Sequence, residues 1–169
     1  TSSELSFHTM TGSNTSEAMR INQYGHITSS TQPAFLAKPN APQSNIPVSA
    51  NTTIVFDVEI FDQANNFSSS AFTAPIAGRY QLNASLYMLN VDSASDYIQM
   101  ALVTSNRSYY AIFVPNRLTA DAVYWSLNIS VLADMDALDT AQIQLQLNNT
   151  GTAQLSVNAI SNFSGYLVA

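Results

Sequence analysis

From Thr52 to the C-terminus the chain alternates apolar and neutral polar residues, and this period of two constrains the fold more than any other feature. Successive side chains of a strand point to opposite faces, so each alternating run is a strand with one face to bury. Ile54, Phe56, Val58 and Ile60 form the first run. Tyr80, Leu82, Ala84, Leu86 and Met88 form a longer one, with Gln81, Asn83 and Ser85 between them. Val123, Trp125, Leu127, Ile129, Val131 and Ala133 follow the rule at odd positions. So do Ala141, Ile143, Leu145 and Leu147, spaced by Gln142, Gln144 and Gln146, and then Ala153, Leu155, Val157 and Ala159. Less regular runs, rich in aromatic and β-branched residues, cover Tyr97 to Val103, Tyr109 to Val114 and Phe163 to Ala169. About eight to ten strands are predicted. No segment has a convincing helical period, since the best candidate, ADMDALDTA, is short and directly precedes a strict alternation.

Strands with one apolar face must cover those faces with each other, because an open sheet would leave half of the core wet. An all-β sandwich or jelly roll is therefore expected. With 169 residues the chain fits one domain and an appendage. The first 50 residues are richer in Ser, Thr, Asn and Pro and weakly periodic, yet MRINQYGHIT reads as a small hairpin with Met19 and Ile21 on one arm, Gly25 at the bend and Ile27 on the other, and a boundary is placed near Thr31. Residues 1–31 are thus expected to be a stem or connecting segment and 32–169 a head. KPNAPQSNIP suits an extended surface loop, because each proline removes a ladder donor. FTAPIAGRY reads as a corner: Phe72 and Ala74 end one strand, Pro75 stops pairing, Gly78 relieves a bend and Tyr80 begins the long strand.

Order and identity of residues also carry a resemblance. IVFDVEIFDQANNFSSSAFTAPIAGRYQLNASLYML, with Phe72, Pro75, Gly78 and Tyr80, followed by a terminal FSGYLV with Phe163, Gly165, Tyr166 and Leu167, resembles the globular head of the C1q/TNF-like superfamily. PAFLA is similar to that family's first strand, and the likeness runs from Pro33 to Ala169. The resemblance implies a C1q/TNF-like ten-stranded jelly roll that assembles as a homotrimer. One departure is visible: the family commonly has a Leu-x-x-Gly-Asp-type turn, whereas MDALDTAQIQL puts Leu138 beside Asp139, and a reshaped turn is expected there. EAMRINQYGHIT resembles a segment that recurs before the distal heads of bacteriophage tail fibres and related virion appendages. The chain begins with Thr1 and reads as a fragment of a longer polypeptide.

Charge excludes several functions. Only 9% of residues are charged, against roughly 25% in an average soluble domain, so Asn, Gln, Ser and Thr keep the surface wet. Such compositions accompany β-rich extracellular or virion proteins that bury surface between subunits. Arg20, Lys38, Arg79, Arg107 and Arg117 are scattered and the net charge is −6, which argues against nucleic-acid binding. No apolar run reaches the ~18–20 residues of a bilayer span, so no membrane insertion is expected.

Catalytic patterns are not apparent. His8 and His26 lie far in sequence from the carboxylates, no nucleophile elbow accompanies them, and the five glycines have no phosphate-cradling spacing. The chain has no cysteine. An enzyme is not expected, and neither is a cofactor. Asp92 and Asp96 in DSASD, and Asp134, Asp136 and Asp139 in ADMDALD, offer oxygen ligands for Ca²⁺, with solvated turn carboxylates as the alternative. Eight Asn-x-Ser/Thr sequons would matter only on a eukaryotic secretory route.

NRSYYAIFVPNR is the better recognition candidate. Arg107, Tyr109, Tyr110 and Arg117 combine planar donors with flat apolar rings, types suited to protein hot spots and to stacking on sugars. Packing of the tyrosines in the core or between subunits is the alternative. Trp125 is in step with its strand's core face, whereas Tyr124 faces the other way and suits a subunit interface. The resulting expectation is a homotrimeric virion head that attaches to a host-surface glycan or protein and joins other virion proteins through its N-terminal side. A purely structural capping domain and a secreted C1q-like module are the alternatives.

Overall fold

The structure is a computed structural model describing residues 3–148 and 152–169. Its strands are β1 (Leu5–Thr11), β2 (Asn14–Ile21), β3 (Ile27–Thr28), β4 (Ala34–Lys38), β5 (Asn51–Thr53), β6 (Val58–Gln63), β7 (Phe67–Ser68) and β8 (Ala71–Thr73). They continue as β9 (Gly78–Val91), β10 (Tyr97–Thr104), β11 (Ser108–Phe113), β12 (Ala122–Met135), β13 (Thr140–Asn148), β14 (Ser156–Val157) and β15 (Asn162–Leu167). One 3-10 turn, Pro115–Arg117, follows β11.

Two sheets carry the predicted alternation. The front sheet has the order β12-β9-β15-β4-β6, with β14 also on β9. The back sheet has the order β11-β10-β13-β8-β7, with β5 also on β13. Because β8, β9, β10, β12 and β13 cross repeatedly between the sheets, the chain winds as a jelly roll, as expected. The even residues of β9 from Tyr80 to Met88 and the odd residues of β13 from Ala141 to Leu147 meet in the core. Between them Phe35 stacks on Phe67 and Phe72 at 4.8 and 4.9 Å and meets Phe163 edge-on at 5.0 Å. Such aromatic pairs add to plain burial through ring electrostatics.

The N-terminal hairpin has the expected form. Ile21 pairs with Ile27, and Gly25 takes a φ of +81° in the turn. A further strand, β1, pairs along β2, so the N-terminal sheet has three strands.

Three expectations need correction. The run Ile54 to Ile60 is not one strand: β5 joins the back sheet and β6 the front sheet, and the chain crosses between them. Ile54 and Phe56 are buried in that crossing, but Ile60 is the extra residue of a bulge between Glu59 and Phe61 and is 56% exposed. The run Ala153 to Ala159 yields only the two-residue β14, with Leu155 and Val157 buried and Ala153 exposed. On β12, Leu127 and Ala133 are buried, whereas Trp125, Ile129 and Val131 are half-buried and Val123 is exposed. β12 and β11 are the outermost strands of their sheets, so no neighbouring strand completes the cover over this side. Trp125 stacks on Phe113 at 3.9 Å across the opening.

FTAPIAGRY is a corner, with a different use for its glycine. Gly78 starts β9, and a Cβ there would lie 2.8 Å from both the Ala169 carbonyl oxygen and Leu167 Cδ1. Close approach of the C-terminus, and not a bend, requires glycine. Tyr80 is fully buried against Phe72, and its hydroxyl donates to the Ile76 carbonyl at 2.8 Å, tying the corner down. Burial raises the Tyr80 pKa above the ordinary 10.0.

The corner is also pinned to the turn before β13. Leu138 N–H donates to Ala74 O, and Ala74 N–H to Asp139 O, both at 2.8 Å. Leu138 itself has a φ of +73° and is 79% exposed. The turn thus takes the left-handed backbone that favours glycine, and leucine bears it without any gain from burial. That conformation costs an L-residue about 1–2 kcal/mol, part of which glycine would lose again as chain entropy. Leu138→Gly is expected to stabilise the chain by about 0.5–1 kcal/mol, seen as a melting temperature higher by a few degrees; an unchanged or lower value would refute strain at this turn.

Because the folded-state pKa of Tyr80 lies above its unfolded value, its contribution is complete below pH 10.0 and is lost as pH rises through the folded value. Denaturant unfolding should therefore show stability falling in the alkaline range, and Tyr80→Phe should flatten that fall while lowering neutral-pH stability by about 1 kcal/mol.

Candidate functional site

Arg107, Tyr109, Tyr110 and Arg117 lie on β11 and the turns that flank it. Strand alternation separates the two tyrosines. Tyr109 is opposite the buried Leu102 and packs, half-buried, against the core. Tyr110 is opposite Ala101, faces outward and is 57% exposed. Arg107 precedes β11, and its Nη2 donates to Asp134 Oδ2 of β12 at 2.7 Å. Arg117 is exposed in the 3-10 turn beyond the other end of the strand. A six-residue strand is ~20 Å long, so the two arginines stand at opposite ends of it. Of the four residues, Tyr110 alone lines a concavity of the back sheet among the described residues.

That concavity is a hollow of about 250 Å³ on the outer face of the back sheet. Asn51, Gln99, Gln144 and Gln146 line it together with Tyr110, Ser108, Ala101 and Val103. β13 places it: its odd residues fill the core, so Gln144 and Gln146 must face out. Gln99 pairs directly with Gln146, and Asn51 flanks Gln146 on its other side. In the sequence the β13 glutamines stand only as spacers between core residues. Their even spacing on β13 was the available signal, but the neighbours that complete the hollow come from β5, β10 and β11.

The front sheet presents a different surface. Its outward residues include Gln81, Asn83, Ser85 and Tyr87 on β9, opposite Leu132, Ser130, Asn128 and Ser126 on β12. Gln81 Nε2 donates to Asn83 Oδ1 and Ser130 Oγ, and Ser130 Oγ donates to Asn83 Oδ1 at 2.8 Å. Apolar groups flank this neutral patch. Tyr124, as expected, faces outward and packs on Tyr87 at 5.7 Å, and Phe61, Leu36 and Tyr166 surround a second hollow at the other side.

The carboxylates are largely engaged by the protein. Asp92 is buried and accepts from Ala94 N–H and Thr152 N–H at 2.8 and 2.7 Å. Asp121 is held below the usual carboxylate range by the Ser93 N–H, then by the Ser93 hydroxyl and the Gln154 amide. Asp134 faces Arg107, and Asp139 accepts from the Asp136 N–H. Among the described residues no three His, Asp or Glu side chains gather in a metal-binding group.

The fold has known counterparts. No family model matches the sequence, and no curated protein matches it. Among solved structures, the globular domain of zebrafish complement 1qA protein superposes with a TM-score of 0.60 at 14% identity, over 82% of this chain and 98% of that one. Murine APRIL superposes with a TM-score of 0.59 at 11% identity, over 81% and 99%. The chain therefore has the C1q/TNF-like jelly-roll fold, as its sequence resemblance implied.

Proposed function

We propose that this chain is a non-catalytic homotrimeric recognition head of a virion appendage, buried against its own copies through the front sheet and attaching to a host surface through what remains open. The carrying observation is the front face itself: a wide antiparallel surface whose central residues are uncharged and whose flanks carry Phe61, Tyr166, Tyr124 and Leu132, each at least half exposed. Charges are costly to desolvate, whereas amides, hydroxyls and aromatic rings are the groups that protein interfaces bury. β9 and β12, with 14 residues each, give the face its length, and β15, β4 and β6 beside them give it width. The half-open side between β11 and β12, where Trp125 and Phe113 are incompletely covered, would gain its missing cover from the neighbouring copy.

The virion setting is favoured by the segment EAMRINQYGHIT, which folds as the hairpin of β2 and β3 ahead of the head. Three copies held on one axis would raise weak single contacts to useful avidity. Attachment to a host-surface glycan or protein is the function this arrangement serves, with the N-terminal sheet directed to the rest of the appendage.

Light scattering of the purified chain should give the mass of three 18.3 kDa subunits. Tyr124→Asp together with Tyr166→Asp should yield folded monomers, because each buries a charge in the interface. A wild-type monomer at micromolar concentration would sink the trimer. Attachment predicts that the isolated head binds host cells and competes with infection, and a head that does neither refutes it.

A further inference from the structure

We infer that the hollow on the back sheet is a carbohydrate subsite that holds one uncharged sugar ring of a larger glycan; this deepens the attachment reading and rests on it. The site arises from rows of residues that cross the sheet. One row runs Ile112, Gln99, Gln146, Asn51, and the next runs Tyr110, Ala101, Gln144, Thr53. Ala101 is the short side chain amid long ones, so the surface dips above it, and its 7% exposure marks the floor. Tyr110 forms one wall, and the amides of Gln99, Gln144 and Gln146 form the others.

Those amides are uncommitted. The side chains of Asn51, Gln99, Gln144 and Gln146 hydrogen-bond to no other described group, although the three glutamines are half-buried. Some carboxamides elsewhere are engaged, as Gln43 is with both amide atoms on the Val55 backbone and Gln63 with the Ser29 and Gln32 carbonyls; others, such as Gln142 of β13, are open like those of the hollow, and what sets the hollow apart is that three of them converge on one dip. A carboxamide both donates and accepts, which is what a pair of adjacent sugar hydroxyls requires. The exposed ring of Tyr110 adds a flat apolar wall for the C–H face of a pyranose.

Charge and size narrow the ligand further. No lining residue is ionisable at neutral pH, and the net charge of −6 disfavours anions, so sialylated or phosphorylated sugars have nothing to hold their charge. About 250 Å³ is below the ~300–1,000 Å³ of pockets that enclose drug-sized ligands, which suits a single ring with the glycan continuing into solvent. The hollow is on the sheet that the proposed trimer leaves open, so three copies would present it outward.

The test uses the intact chain and saturation-transfer NMR with methyl glycosides of glucose, galactose and N-acetylglucosamine, and with sialyllactose as the anionic probe. At least one neutral glycoside should receive saturation and be displaced competitively by its own oligosaccharide. Ala101→Leu, which fills the dip from an outward position, should abolish the transfer. Gln144→Met, which keeps length and removes the amide, should weaken it about tenfold, as expected for losing one well-made hydrogen bond. Trimer mass and circular dichroism serve as the check that each variant folds. No transfer to any neutral glycoside, transfer to sialyllactose alone, or undiminished transfer in folded Ala101→Leu would overturn the subsite. Cell binding separates the two readings: attachment retained by Ala101→Leu overturns the subsite and leaves the attachment head standing, whereas sugar binding without cell binding overturns attachment alone.

Discussion

The contact on which the architecture depends is the seating of Phe35 between the two sheets. Its ring stacks on Phe72 and Phe67 of the back sheet and meets Phe163 of β15 edge-on. β4 and β15 pair directly, with Phe35 opposite Gly165. A Cβ on Gly165 would fall 2.9 Å from Phe35 Cε1 and 2.6 Å from Leu82 Cδ2, so the missing side chain is what lets the aromatic ring lie flat over the strand. Four strands thereby close on one ring. Both outer faces follow from that closure, because once Phe35, Phe72, Phe163 and Leu82 are inside, parity decides which residues of every neighbouring strand are outside.

Much of this was legible in the sequence because a period of two reports burial directly. The core residues of β9 and β13 are legible because a strand flanked on both sides by others has its inner face fully covered, and Tyr124 is outward by parity alone. Parity misleads where a strand lacks that cover or where a run changes sheet. β12 keeps a strict alternation, but as an outermost strand it leaves Trp125, Ile129 and Val131 half-buried. Ile54 to Ile60 alternates without interruption through a crossing and a bulge, and nothing local records either event. Leu138 shows a different limit: no local pattern announces its left-handed backbone, which accompanies the bonds Leu138 N–H to Ala74 O and Ala74 N–H to Asp139 O.

The candidate site was less legible, for a reason that follows from sheet geometry. Residues close in sequence on one strand, such as Tyr109 and Tyr110, are sent to opposite faces, while residues that share a face come from strands remote in sequence. Tyr110, Gln99, Gln146 and Asn51 become neighbours only through the registers of β11 on β10, β10 on β13 and β13 on β5. The segment rich in aromatic and cationic groups falls on β11 and its flanking turns, and of its four candidates Tyr110 lines the hollow. The carboxamides that accompany Tyr110 were visible as a composition and not as a place.

Low charge unites the two outer faces. A charged side chain on the front sheet would have to be desolvated when a second copy covered it, at several kcal/mol for each uncompensated ion. Amides and hydroxyls can instead bond to one another, as Gln81, Asn83 and Ser130 do. On the back sheet the same chemistry is left open: Gln99, Gln144 and Gln146 surround the space above Ala101 without closing it with bonds of their own. A polar group that stays solvated in the free protein loses its water at little net cost when an equivalent hydroxyl replaces it. Such exchange yields weak contacts, and weak contacts become effective only when repeated. A front face uncharged at its centre and an uncharged hollow on the back sheet are thus consequences of one composition, and if copies shared the first they would supply the repetition that the second would need.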